Sequence, residues 1–182
     1  MPKVNRNKLQ QGLIQVYTGN GKGKTTAALG LALRAIGWNY KVCMIQFIKG
    51  NKEIGEIKIS KKLIPKLSIH QFCQNKKYSI GKPDQKYQES VGAAWKFFLK
   101  TLAEKKYDII ILDEINNAIK YKLLNVDEVI EVLKNKPKNI ELILTGRGAP
   151  KKIIKIADLV TEMKLIKHPF YKGIKARRGI EY

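Results

Sequence analysis

The 182 residues fit one domain, long enough to bury a core without disulfides or metal staples, and the 44% apolar share excludes the profile of a disordered chain. No apolar run approaches the ~18–20 residues that span a bilayer, and the polar, basic start from Met1 to Gln11 has no apolar core of a secretory signal. A cytoplasmic protein without membrane insertion is expected. The net charge of +21 raises the question of a polyanionic partner, but 31 of the 36 basic residues are lysine, which suits a solvated, compositionally biased coat better than a specific nucleic-acid surface.

Leu13 to Tyr17 reads as a short buried strand that runs directly into glycines. Lys24 to Ile36, rich in alanine and leucine, reads as a helix ended by Gly37. Lys41 to Ile48 is a second strand containing Cys43, a small core residue, and a polar, charged stretch follows through Lys62. Leu67 to Phe72 is a third strand. After a polar loop to Pro83, a long helix runs to about Lys106 with Asp84 as its N-cap. Tyr107 to Leu112 is an aliphatic run ending at Asp113-Glu114, as expected of a strand covered on both faces.

Asn125 and Glu128 form a capping-box pattern for a helix through Asn135. Glu141 to Leu144 is another buried strand, leading into Thr145-Gly146-Arg147-Gly148, and Pro150 suits the first turn of a helix. Asp158 to Ile166 makes a last strand before a basic tail. Alternating strands and helices predict an α/β fold with a doubly wound and mostly parallel sheet, and the glycine loop after the first strand makes it the P-loop NTPase (RecA-like) type. One domain is expected over residues 1–182, with 1–11 a flexible N-terminal segment.

Gly19-Asn20-Gly21-Lys22-Gly23-Lys24-Thr25-Thr26 lies between a strand and a helix, as a phosphate-binding loop does. Glycines let backbone N–H groups turn toward phosphate oxygens, and the helix N-terminus adds the positive end of its dipole. Lys24 is placed to neutralise phosphate charge and the Thr25 hydroxyl to reach Mg²⁺. Thr18 stands where the general pattern has its first glycine. A carboxylate at the end of the Ile109–Leu112 run can hold Mg²⁺ directly or through water. Arg147, on the same carboxyl edge, suits either a phosphate contact or a surface turn.

Cys43 and Cys73 are too few for a zinc knuckle, and His70 and His168 have no metal-ligand spacing. His168 before Pro169 suits a structural turn better than a catalytic base. The Trp38-Asn39-Tyr40 turn and the Trp95, Phe97, Phe98 group are expected to pack helix against sheet.

These blocks together resemble the P-loop type of ATP:corrinoid adenosyltransferase. The likeness is carried by Thr18 to Ala28, Leu31 to Ala35, Gln46 to Gly50, Leu112 to Asn116, Leu144 to Pro150 and Ala157 to Met163. It continues in Lys167 to Phe170, Gly173 to Ala176 and Arg178 to Tyr182. Arg177 departs from a glutamine of the family's pattern, and Phe72 to Lys82 departs from an aromatic-rich stretch near the corrinoid, of which Phe72 would be the counterpart.

The resemblance implies transfer of the 5′-deoxyadenosyl group of ATP to the cobalt of a reduced cob(I) corrinoid, releasing triphosphate. It implies Lys24, Thr25 and Glu114 as the residues that act on the reaction, with the Gly19–Thr26 loop and Arg147 on the nucleotide. Thr25 and Glu114 would hold Mg²⁺, with Asp113 behind them. A homodimer and an electron-donating flavoprotein reductase are expected partners, and no specific nucleic acid. Two other classes share these motifs: a RecA-like nucleic-acid ATPase and a P-loop nucleoside kinase.

Overall fold

A computed structural model describes residues 8–48, 50, 51, 53–73 and 85–182. Residues 1–7, most of the expected N-terminal segment, and Asp84, the expected cap of the long helix, lie outside these.

Among the described residues six strands form one all-parallel sheet in the order β3-β2-β4-β5-β1-β6. They are β1 (Ile14–Thr18), β2 (Val42–Gln46), β3 (Leu67–Gln71), β4 (Ile109–Asp113), β5 (Glu141–Thr145) and β6 (Leu159–Glu162). The central strands β2, β4 and β5 are mostly apolar and buried along their length because both of their faces are covered. In β4, Ile110 and Leu112 enter one core cluster while Ile109 and Ile111 enter the other, the two-residue alternation of a strand read onto two opposite layers.

Helix α1 (Lys24–Gly37) covers one face through Ala28, Ala32, Ala35 and Ile36. On the other face lie α3 (Gln85–Glu104), α4 (Ile115–Lys120), α5 (Val126–Lys134) and α6 (Lys151–Ile156), which contribute Val91, Phe98, Ile115, Leu133 and Ile153. Small alanines on α1 let it sit close to the sheet, whereas α3 reaches it with aromatics. Trp95 and Phe98 pack at a ring-centroid distance of 5.1 Å, and Phe97 meets His70 at 4.5 Å. The expected packing role of this aromatic group is observed.

Several boundaries differ from the sequence reading. Gly37 does not end α1 by a left-handed turn; that conformation falls on Asn39 (φ 64°), and Trp38 is 72% exposed rather than packed on the sheet. The charged stretch before Lys62 contains α2 (Gly55–Ser60), and the residues after Glu114 form α4; neither six-residue helix was expected. Asn125 does cap α5, accepting from the Asp127 N–H at 2.8 Å. The last strand is only four residues long, ends in Thr161 and Glu162, and is exposed along its length, as suits an edge that must not recruit another strand. Residues Pro169–Lys172 form a short 3₁₀ turn capped by His168, whose Nδ1 accepts from the Phe170 N–H at 3.1 Å, the structural role expected of that histidine.

Candidate active site

The sheet order places β5 between β1 and β4, so three parallel strands deliver the glycine loop, Thr145 and Asp113 to one carboxyl edge. Gly19 (φ 95°) and Gly23 (φ 117°) bend the chain through left-handed conformations between β1 and α1. A Cβ on Gly19 would lie 2.4 Å from the Met163 carbonyl oxygen, so glycine is required here by space as well as by φ. The Gly21 N–H donates to Met163 O at 2.7 Å and the Met163 N–H to Thr18 O at 2.9 Å, which pins the loop to the end of β6. Thr18 also has a use that glycine could not supply: its Oγ1 accepts from the Ala149 N–H at 3.1 Å and ties the loop to the turn after β5.

Gly23 caps α1 without a side-chain bond, so the first amides of this 14-residue helix have no carbonyl partner within it and face the loop. Lys24 is buried, and its Nζ donates to Gly19 O at 2.9 Å and Gly21 O at 2.7 Å, spanning the loop's mouth. Burial is the main cause that pushes its ammonium below the ordinary lysine range. Glu114 opposes that shift, Arg147 adds to it and Asp113 opposes it, so three other predicted site residues are close enough to act on Lys24 electrostatically.

Asp113 is fully buried at the end of β4. Its Oδ1 accepts from Thr25 Oγ1 at 2.8 Å and from Thr145 Oγ1 at 2.7 Å, and its Oδ2 accepts from Gln46 Nε2 at 3.2 Å. Thr145 in turn accepts from the Glu114 N–H at 2.9 Å. That bond helps to hold Glu114 at φ 66°, a left-handed conformation unusual for a side chain with a Cβ and typical of residues whose placement is over-determined by their surroundings.

Arg147 is exposed in the turn after β5; its N–H donates to Asn117 Oδ1 at 2.6 Å, while Asn116 Nδ2 reaches Gly146 O at 3.4 Å. Lys22, inside the loop, points away from its mouth. Its Nζ pairs with Glu181 at 2.8 Å, and Glu181 also holds Arg177 at 3.2 Å, so the C-terminal turn is fastened to the loop. Asn20 and Thr26 are exposed at the loop's surface. A cleft of about 500 Å³ borders the loop between α1, α2 and this turn, lined by Thr25 and Thr26 as well as by Leu29, Leu33, Ile59 and Ile180.

The oxygen donors Thr25, Asp113 and Glu114 suit a hard divalent cation such as Mg²⁺. No group of three or more His, Cys, Asp or Glu side chains is placed to hold a metal among the described residues. Gln46, Thr145 and Asn116 lie inside the blocks that carry the resemblance but receive no role from sequence, and Asn117 lies outside them. Each is an ordinary polar residue near a strand or helix end, and only strand register reveals its neighbours.

A glycine loop that delivers a buried lysine and a threonine to the helix N-terminus, with an acid two strands away, defines a nucleotide-binding domain of the P-loop class. Solved structures agree on the fold. The flagellar accessory protein FlaH from Methanocaldococcus jannaschii superposes with a TM-score of 0.59 at 18% identity, covering 88% of this chain and 74% of its own. A KaiC-like protein from Pyrococcus horikoshii superposes with a TM-score of 0.57 at 15% identity, covering 86% and 74%.

The chain belongs to the ATP:corrinoid adenosyltransferase BtuR/CobO/CobP family, whose model matches residues 10–182. It is 36% identical over 187 residues to the corrinoid adenosyltransferase of Pseudomonas aeruginosa, covering 99% of this chain and 88% of that one. It is 37% identical over 177 residues to that of Escherichia coli, covering 95% and 87%.

Proposed function

We infer that the protein transfers the 5′-deoxyadenosyl group of ATP to the cobalt of a reduced cob(I) corrinoid in adenosylcobalamin formation. The observation that carries this reading is the family match over residues 10–182, supported by the nearness of Lys24 and Thr25 of the loop to Asp113 and Glu114 at the end of β4. In the reaction, the cobalt's electron pair forms a bond to the ribose 5′-carbon while the C5′–O bond breaks and its electrons leave with the triphosphate. The nucleophile belongs to the substrate, so no protein base has to generate it.

The chain's contribution is to bind, orient and neutralise. The loop amides and the α1 N-terminus receive phosphate oxygens. Lys24, held now by two loop carbonyls, exchanges them for the phosphate chain and stabilises charge that grows on the leaving oxygens. Thr25 and Glu114 hold Mg²⁺, with Asp113 fixing the Thr25 hydroxyl from behind. The cation supplies further charge neutralisation on the phosphates. Arg147, close enough to influence Lys24, approaches the same anion. Residues Gly19 to Thr26 thus form the nucleotide cradle, with Lys22 contributing backbone more than side chain.

A homodimer and a flavoprotein reductase that delivers the cob(I) substrate complete the proposal, supported by the family resemblance. No helix among the described residues is long and apolar enough to cross a membrane. A cytoplasmic location suits that observation.

The test mixes protein, Mg·ATP and chemically reduced cobalamin without oxygen. The expected result is protein-dependent appearance of the adenosylcobalamin spectrum. An unchanged cob(I) spectrum, with ATP hydrolysed or untouched, would remove this function.

A further inference from the structure

Gln46, Gln71 and Asp113 stand at the same level of three neighbouring strands. Gln46 is the register partner of Gln71 on β3 and of Asp113 on β4. Gln46 is fully buried. Its Nε2 donates to Asp113 Oδ2 at 3.2 Å and approaches Glu56 Oε1 at 3.5 Å, and its Oε1 accepts from Gln71 Nε2 at 2.8 Å. Gln71 Nε2 also reaches the Asn51 carbonyl at 3.1 Å.

The direction of this chain is fixed by chemistry. Ionised carboxylates can only accept, so the amide nitrogen of Gln46 must face Asp113 and Glu56. Its oxygen is then left toward Gln71, whose own nitrogen must face it. A buried amide with both ends committed in this way has one orientation available.

We propose that Gln46 is a positioning residue for the metal and phosphate end of the site. It holds Asp113 so that Oδ1 meets Thr25, and Gln71 holds Gln46 in turn. The sequence Thr25–Asp113–Gln46–Gln71 carries the setting of the loop's metal-facing hydroxyl across three strands to the residue preceding Phe72. When Gln46 is removed, Asp113 Oδ2 loses its amide donor, the carboxylate is held at Oδ1 by Thr25 and Thr145, and with its plane set less tightly the Thr25 hydroxyl is aimed less firmly. The proposal rests on the reading of this loop as a Mg·ATP site.

The experiment is calorimetric binding of ATP to the full chain, with Mg²⁺ and with excess chelator, in the absence of corrinoid. The variants are Gln46→Leu, Gln71→Leu and the double variant, with circular dichroism to confirm folding. Gln46→Leu should reduce the Mg²⁺-dependent gain in affinity by roughly tenfold, as expected for a lost bond to a buried charged group. Binding in chelator should stay within about twofold of the parent, since it uses Lys24 and the loop amides. Gln71→Leu should reduce the same gain by roughly threefold and add nothing in the Gln46→Leu background, because the two act through one chain.

An unchanged gain in folded Gln46→Leu, an equal loss with and without Mg²⁺, or additive losses in the double variant would overturn the proposal. If Gln46→Leu does not fold, Gln71→Leu decides: loss of the gain supports it and an unchanged gain overturns it. A parent protein whose ATP affinity ignores Mg²⁺ would remove the metal reading and this proposal together. A Mg²⁺-responsive parent matched by Gln46→Leu removes this proposal alone.

Discussion

Thr25 at the head of α1 donates its hydroxyl hydrogen to Asp113 at the end of β4 across 2.8 Å, although the two residues are 88 positions apart in sequence. The bond crosses over β5, whose Thr145 donates to the same carboxylate oxygen at 2.7 Å. With its hydrogen donated to Asp113, the Thr25 oxygen would meet a cation through its lone pairs. Asp113, with both oxygens already accepting, is suited to orient a ligand more than to be one.

Lys24→Ala and Thr25→Ala should each lower adenosyl transfer by about 100-fold or more, the scale of losing one preorganised group that stabilises developing charge. Far-ultraviolet circular dichroism should be unchanged, because neither side chain belongs to a core cluster. Anaerobic turnover beside circular dichroism separates the two effects. Near-parental turnover in Lys24→Ala would remove the loop from the chemistry.

Two glycine substitutions should move stability in opposite directions. Gly19→Ala forces a side chain into φ 95° and against the Met163 backbone at 2.4 Å, and should destabilise by at least about 2 kcal/mol. Gly92→Ala, inside α3 with nothing within 4 Å of the new methyl, should stabilise by about 0.5–1 kcal/mol. Denaturant midpoints of the two variants check both signs.

Both cysteines should be unreactive in the folded protein. Burial pushes the Cys43 and Cys73 thiols up to about 11. Only the thiolate is a nucleophile, so at pH 8 about one thiol in a thousand is competent. A disulfide reagent should titrate almost none in buffer and two after addition of denaturant. Rapid stoichiometric reaction of the native protein would contradict the packing around them.

The fastening of the C-terminal turn should depend on acid. Hydrogen bonds from Arg177 and then Lys22 hold the Glu181 carboxyl at about 2, below its ordinary 4.5. A depressed carboxylate gives its full contribution above the ordinary value and loses it as pH falls through the depressed one. The turn should therefore stay fastened from neutral pH down to about 4.5 and loosen progressively towards pH 2. Amide exchange of Glu181, whose N–H donates to Arg177 O at 2.9 Å, reports this after correction for intrinsic rates. Glu181→Gln should show the faster exchange already at neutral pH. Equal exchange in parent and variant would deny the latch.

The strands and the loop were legible because their signals are local. The Ile109–Asp113 run can only be a strand buried on both faces, and glycines around Lys24 admit few uses between a strand and a helix. What was missed depends on distance in sequence. Helices α2 and α4 have six residues each, too short for a period of 3.6 to declare itself. Gln46 reads as a polar strand end until register sets it beside Asp113, 67 positions on. Thr18 departs from the general glycine pattern, and the use of its hydroxyl shows only when the turn after β5 is brought beside it. Trp38 was assigned to packing by its size, yet the turn at Asn39 carries it outward.

The central claim concerns which bond of ATP breaks, and phosphorus NMR of an anaerobic turnover mixture measures that directly. Attack at the ribose 5′-carbon releases all three phosphates as one unit, so tripolyphosphate should accumulate one-for-one with the adenosylated corrinoid. An ATPase or kinase using the same loop would attack the γ-phosphorus instead. ADP with phosphate or a phosphorylated acceptor as the main product, and no cobalt–carbon bond formed, would contradict the account.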